Sequence, residues 1–154
     1  KSPLMMEVKQ IIDHSGISCS GIIVELTESG YLEGTPAVRS VWNDMKKLRI
    51  QIALDDFGTG YSNLMNISNL EPDIVKLDRG FTLKALSRSY EYQLMQYVIE
   101  MVHKLNQYVC VEGVETKEDL EKIKALGPDL IQGYYYSKPC SRDEFLKKFF
   151  GYSE

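Results

Sequence analysis

Five short runs of β-branched and aliphatic residues recur along the sequence, each parted from the next by a turn and a stretch of helical period. This alternation restricts the fold more than any other feature. The runs are Ile22–Leu26, Gln51–Asp55, Ile74–Leu77, Val109–Glu112 and Leu130–Tyr134, and their length and composition predict strands. Thr35–Leu48, Ser87–Asn106, Lys117–Leu126 and Ser141–Phe149 predict helices between and after them, and Leu4–His14 predicts one at the start. Strands alternating with helices imply an α/β protein with a mainly parallel sheet. No linker, low-complexity tract or evident internal repeat divides the 154 residues, which read as one domain.

Local signals fix several helix ends. Thr116 precedes Lys117-Glu118-Asp119, placing acids in a first turn where the helix dipole favours them, and Gly127-Pro128 ends that helix. Ser141 followed by Glu144 has the form of a capping box. Gly34-Thr35-Pro36 puts proline in a first turn, where its missing N–H costs little.

In parallel α/β sheets ligands bind at the carboxyl ends of the strands, so the residues at those ends decide what the chain can do. They are Glu25 and Glu28, Asp55 and Asp56, Lys76 and Asp78, Glu112 and Glu115, and Gln132. Taken singly, each has an ordinary reading: Asp55-Asp56 can close a strand or cap a helix, Glu25 and Glu112 can be solvated rim, and Lys76 can be surface charge. Their recurrence on successive strands favours a site. Carboxylates gathered without a cation cannot all stay ionised. A divalent metal removes that conflict, and oxygen donors select Mg²⁺, Mn²⁺ or Ca²⁺. Lys76 adds a fixed positive charge suited to a phosphate or a metal-bound water.

The segment Asp55-Asp56-Phe57-Gly58-Thr59-Gly60-Tyr61-Ser62 is the most informative. Two acids at a strand end are followed by glycines that permit close-approach backbone. It is not a Walker A loop, because Gly58-Thr59-Gly60 lacks the lysine and the following Ser/Thr, and a dinucleotide fingerprint lacks its third glycine.

A net charge of −4 gives no basic footprint for tracking along a duplex, and the lysines and arginines are scattered over helices, so no DNA partner is expected. A small phosphorylated ligand remains compatible, since a divalent cation reverses the local field of an acidic site. Cys19, Cys110 and Cys140 form no CxxC pair and read as reduced thiols of a cytoplasmic protein. No apolar run approaches the ~20 residues of a membrane span, and no signal peptide is visible. The chain opens on Lys1, which fits a longer parent whose upstream part could be membrane-anchored.

Glu25-Leu-Thr-Glu-Ser29, Asp55-Asp-Phe-Gly-Thr-Gly-Tyr-Ser62, Lys76-Leu-Asp78, Glu112-Gly-Val-Glu-Thr116 and Gln132-Gly-Tyr-Tyr-Tyr-Ser-Lys-Pro139 together resemble the EAL domain, in the family's order and at compatible spacing. The resemblance spans nearly the whole chain. It implies a TIM-type (β/α) barrel that hydrolyses cyclic di-GMP to the linear dinucleotide pGpG, with two Mg²⁺ or Mn²⁺ ions in a complete site. By the same resemblance Glu25 is a ligand of the first metal, Asp55 bridges both metals and Asp56 binds the second. Glu112 is a second-metal ligand or the general base, and Lys76 holds the nucleophilic water. Glu115 braces the loop from Phe57 to Asn63, Gln132 lines the substrate site, and Phe57, Gly58, Thr59, Gly60, Tyr61 and Ser62 form a closing loop.

The family's Glu-Ala-Leu motif and a further asparagine ligand are not in the sequence. Five strand candidates fall short of an eight-unit barrel of ~250 residues, so the chain is expected to form an incomplete barrel of about five strand–helix units, without turnover by itself. Open edges expose strand backbone that soluble proteins cover, and a homodimer is the expected assembly. Upstream sensory or GGDEF-type domains are further expected partners. A non-catalytic module that binds cyclic di-GMP is the alternative. A phosphoacceptor domain also uses an Asp pair and a lysine, but Lys76 lies on the strand directly after the acids, with no acceptor aspartate between.

Overall fold

The computed structural model describes residues 3–27, 36–59, 67 and 71–151. Among them the elements run α1 (Pro3–Ser15), a 3₁₀ turn (Cys19–Gly21), β1 (Ile23–Thr27), α2 (Pro36–Lys47), β2 (Gln51–Phe57), β3 (Ile74–Leu77), α3 (Arg79–Ser87), α4 (Ser89–Lys104), β4 (Tyr108–Glu112), α5 (Lys117–Lys124), β5 (Leu130–Gln132) and α6 (Arg142–Phe150). The strands form one parallel sheet in the order β1-β2-β3-β4-β5. Five parallel strands with helices, open at both edges, is the incomplete barrel that the sequence implies.

Side chains alternate across the sheet with period two. Leu54, Val75, Leu77, Val109 and Val111 face the helices and share a core with Phe81, Ala85, Met95, Ile99, Val102, Leu120 and Ile123. Ala53, Ile74 and Cys110 form a small apolar cluster on the opposite face. Full burial of an aliphatic side chain is worth about 1.5–3 kcal/mol, so the layer between sheet and helices holds the fold, and the second face is free to carry polar side chains above its apolar floor.

Two predicted boundaries shift for identifiable reasons. The helix expected over Ser87–Asn106 runs from Ser89 to Lys104 as α4, and an unexpected helix, α3, precedes it; Arg88 parts the two with an extended backbone (φ −138°, ψ 129°). The Ser87 hydroxyl donates back to Leu83 O and Lys84 O at 2.9 and 3.0 Å, closing α3 and competing with continuation of the helix. The last strand stops at Gln132 rather than Tyr134, because Gly133 leaves the ladder to dock on Val114, where a Cβ would lie 2.7 Å from the Val114 carbonyl carbon. The caps hold: Thr116 with Asp119 and Ser141 with Glu144 form reciprocal capping boxes, and Pro36 opens α2. Thr35 and Gly34 lie outside the described residues.

The amino ends of the strands carry a repeat that hydropathy does not reveal. Pro72-Asp73-Ile74-Val75 and Pro128-Asp129-Leu130-Ile131 enter β3 and β5 alike. Asp73 Oδ2 accepts the Ile52 N–H at 2.8 Å while the Asp73 N–H donates to Ile52 O at 2.8 Å. Asp129 does the same to Val109, at 2.7 and 3.1 Å. Each aspartate thus clips its strand to the preceding one and satisfies a backbone donor at the sheet's end. His103 Nε2 adds a contact to Asp129 Oδ2 at 2.9 Å.

Burial pushes the Asp129 carboxyl up, but the Val109 N–H and His103 outweigh it and hold the group below its ordinary value of 3.8. A depressed folded pKa contributes stability that is present above the unfolded value and is lost as pH falls through the folded one. Asp129→Asn is therefore expected to cost about 1 kcal/mol at pH 7, or about 2–4 °C in Tm. The difference from the native chain should close as pH is taken below about 3.8 in a thermal-melt series.

Candidate active site at the carboxyl ends of the strands

A β-bulge explains how two consecutive aspartates reach one rim. Leu54 pairs with Val75 and Phe57 with Leu77, so β2 spends three residues where β3 spends two. The extra residue restores Phe57 to the core, where it is 3% exposed, and leaves both Asp55 and Asp56 at the strand end. Asp56 takes a left-handed backbone (φ 60°), a conformation that aspartate tolerates better than most non-glycine residues. Gly58 follows at φ 102° and packs so closely on Phe81 that a Cβ would stand 2.8 Å from its ring.

Lys76 is the centre of the site. Its side chain is only 7% exposed, and its Nζ lies 2.8 Å from Glu25 Oε1, 3.0 Å from Asp55 Oδ1 and 2.7 Å from Glu112 Oε1. Three strands thus contribute carboxylates to one ammonium on a fourth. Burial pushes the lysine down, but Glu112, Glu25 and Asp55 together raise it well above its ordinary 10.5. It is therefore charged throughout the neutral range.

The remaining carboxylate stands beside this group. Partial burial, with Asp55 and Asp78 as like-charged neighbours, pushes Asp56 above its ordinary value, against the pull of Lys76. Asp78 caps α3, its Oδ1 accepting the Gly80 N–H at 2.6 Å. Glu115 pairs with Arg79, whose Nη2 and Nε lie 2.7 and 3.1 Å from one carboxylate oxygen. Gln132 lies level with Glu112 in the β4–β5 ladder, and its carbonyl accepts the Gly113 N–H at 2.9 Å.

The donors suit a hard divalent cation. Asp55 Oδ1 is shut off from solvent and lies 3.0 Å from the Lys76 ammonium, a buried carboxylate oxygen already turned towards positive charge. Cys110 lies in the apolar floor, its thiol pushed up to about 11 by burial and then by Glu112, so the donor set is oxygen rather than thiolate. Among the described residues no three acidic, histidine or cysteine side chains converge on one point as a metal-ligand set; Glu25, Asp55 and Glu112 converge on the ammonium. By donor chemistry Glu25, Asp55, Asp56 and Glu112 are the residues that could hold a cation.

Of the sequence-predicted site, Glu25, Asp55, Asp56, Lys76 and Glu112 are thus brought together. Phe57 belongs to the core, and Gly58 and Thr59 begin the loop after β2, Thr59 Oγ1 donating to Asp56 O at 3.0 Å. Glu28, Gly60, Tyr61, Ser62 and Asn63 lie outside the described residues, as does most of the loop that Glu115 is expected to brace. Sequence reasoning missed Arg79 as the partner of Glu115. Its signal was an aspartate cap directly after Lys76-Leu77, which starts a helix at the site's edge.

The chain is similar to known proteins over nearly its whole length. The EAL domain family model matches residues 1–139. The cyclic di-GMP phosphodiesterase NbdA of Pseudomonas aeruginosa is 29% identical over 152 residues, which cover 97% of this chain and 19% of the relative. The EAL enzyme Bd1971, solved with cAMP and cyclic di-GMP, superposes with a TM-score of 0.89 at 28% identity, covering 96% of this chain and 39% of that one. Klebsiella pneumoniae BlrP1, as a manganese and cyclic di-GMP complex, gives 0.79 at 27% identity, covering 86% and 35%. The chain therefore spans about a fifth of the length of its curated relative and under two fifths of Bd1971.

Because its ammonium is held above 10.5, the stability that Lys76 contributes is complete below that pH and is lost as pH rises through the elevated folded value. Lys76→Met is expected to destabilise the chain by about 2–3 kcal/mol at pH 7, below the largest values for broken buried pairs because Glu25 is half exposed. Urea unfolding at pH 7 and above about pH 10.5 should show the deficit shrinking at the higher pH, where the unfolded lysine loses its proton first.

Proposed function

Because the chain belongs to the EAL domain family, we propose that it carries the metal- and phosphate-handling strand ends of a domain that hydrolyses cyclic di-GMP to linear pGpG with Mg²⁺ or Mn²⁺. The observation that carries this reading is the buried Lys76 ammonium within 2.7–3.0 Å of carboxylates from β1, β2 and β4. A cyclic dinucleotide presents two phosphodiesters, and oxygen donors that would hold divalent cations around one fixed ammonium are what hydrolysis of a phosphodiester requires.

Two cations, when bound, supply a water that is nucleophilic at neutral pH and screen the charge of the phosphate. The chain's own residues hold and orient. Glu25 would serve the first metal, Asp55 both and Asp56 the second, and Glu112 would either join the second metal or take the proton of the attacking water. Lys76 fixes that water and opposes the negative charge that grows on the phosphate. Gln132, level with Glu112, would line the substrate site, as would the loop that begins at Gly58. Attack on one phosphodiester breaks its bond to the 3′ oxygen and leaves the linear dinucleotide.

The sheet described is open, and the family's Glu-Ala-Leu glutamate and asparagine ligand are not in the sequence. The proposal is therefore that these 154 residues bind but turn over little alone, and that the catalytic unit includes the strands carrying those two ligands. A cytoplasmic location, homodimeric assembly and sensory or GGDEF-type domains in a longer protein belong to the same proposal. Among the described residues no helix is long and apolar enough to cross a membrane.

The chain, alone and joined to a barrel segment that carries Glu-Ala-Leu, should be incubated with cyclic di-GMP and Mn²⁺ and the products separated by chromatography. Linear pGpG is expected from the joined protein, with a fall of about 10²-fold or more in its Asp55→Asn form. Retained nucleotide binding with no product from the joined protein would replace the hydrolase reading by that of a binding module.

A further inference from the structure

Lys76, Asp78, Arg79 and Phe81 lie within six consecutive positions where β3 turns into α3, and this turn touches the loops on both sides of it. Towards β2, the Asp78 N–H donates to Phe57 O at 3.0 Å, and the Phe81 ring fills the space over Gly58 that a side chain there would need. Towards β4, the Arg79 stem lies on Gly113. That glycine has φ 81°, and a Cβ on it would overlap Arg79 Cγ and stand 3.0 Å from Arg79 Cα. Beyond Gly113 the Arg79 guanidinium grips Glu115 with two nitrogens.

The two loops so joined begin at the residues that matter. Gly58 is two positions from Asp56, and Gly113 directly follows Glu112. Neither glycine admits a side chain without displacing the residue seated on it, so each loop is shaped to receive the β3–α3 turn. Resting on the functional reading above, we propose that Arg79 is a positioning residue, which through Glu115 and Gly113 on one side and Phe81 and Gly58 on the other holds the β4 and β2 carboxylates in a common frame about Lys76.

The frame has a chemical purpose. Asp55 and Glu112 lie on strands either side of β3, so their separation is set by the two neighbouring ladders and by the loops that follow. A ligand set for divalent cations works only while its oxygens keep their mutual spacing. Ladder hydrogen bonds end at Leu77–Val111 on one side and Phe57–Leu77 on the other. Beyond that point the β3–α3 turn is the element in contact with both neighbours. Among the described residues Glu115 thus reaches the loop after β2 through Arg79 and the two residues that follow it.

The test is hydrogen–deuterium exchange on the 154-residue chain, read at Phe57–Thr59 and at Gly113–Thr116, with a thermal melt and a Mn²⁺ titration alongside. Arg79→Gln and Glu115→Gln are each expected to raise exchange in both segments about fivefold, the scale of a partly exposed charge-assisted pair, with the melt nearly unchanged. The double variant should add nothing at Phe57–Thr59, and Arg79→Lys, which keeps the charge but loses the two-nitrogen grip, should recover part of the protection. Mn²⁺ affinity in Arg79→Gln should fall by a similar factor. Exchange that rises at Gly113–Thr116 alone, or across the whole sheet with a lowered melt, overturns the proposal, as does unchanged Mn²⁺ affinity where Asp55→Asn abolishes binding. If the unsubstituted chain takes up no Mn²⁺, the metal reading fails, and the exchange pattern still decides the role of Arg79.

Discussion

The site depends on one buried ammonium. Transfer of a lysine head group from water to a position 7% exposed costs several kcal/mol unless charge of opposite sign meets it. Here three carboxylates do so from three strands. The same charges would repel one another without it. Lysine and acids are therefore mutually required, and each strand must deliver its residue to the same height. The parallel ladder provides that: Lys76 stands opposite Cys110, one pleat below Glu112 across from the strand end, while Glu25 is level with Ala53 below Asp55. A one-residue slip in any strand would turn its charged residue into the apolar layer against the helices.

That dependence explains the bulge in β2. A regular strand would send Asp56 outward among the buried side chains and turn Phe57 towards the charged face. The added residue cancels this by putting the aspartate in a left-handed conformation, and it does so two positions before a glycine that lets the chain turn away under Phe81. Local backbone strain of about 1–3 kcal/mol at such a residue is offset by the core burial of Phe57 and by the second acid gained at the rim. The glycines at positions 58, 113 and 133 belong to the same plan, each lying where the next element presses on the backbone: Phe81, Arg79 and Val114 in turn.

Much of this was legible from sequence because it is written in period and composition. Alternating apolar runs gave five strands and their parallel order of connection, and the recurrence of acids and a lysine at run ends marked the rim. The motifs carried the family. What escaped has a physical cause in each case. Arg79–Ser87 was missed because Gly80 and Thr82 dilute its helical signal, and its end at Ser87 depends on a side chain folding back on its own carbonyls. The bulge was invisible because Asp-Asp-Phe reads equally as a strand end. The paired clips of Asp73 and Asp129 escaped hydropathy because an aspartate before a strand looks like any turn residue, though the shared Pro-Asp-aliphatic signature was there to be seen. The Arg79–Glu115 pair joins positions 36 residues apart, which no local pattern can report.

The clips have a consequence for how such a sheet is laid down. In the order β1-β2-β3-β4-β5 every strand pairs with its neighbour in sequence, and Asp73 and Asp129 sit at the first residue of contact, where β3 meets β2 and β5 meets β4. These two incoming strands therefore find their register already marked on a strand made earlier, and need nothing that is synthesised later. Contacts kept this short in sequence lower the entropy of closure. A sheet of this kind can grow from its amino-terminal side as the chain leaves the ribosome, one strand–helix unit at a time.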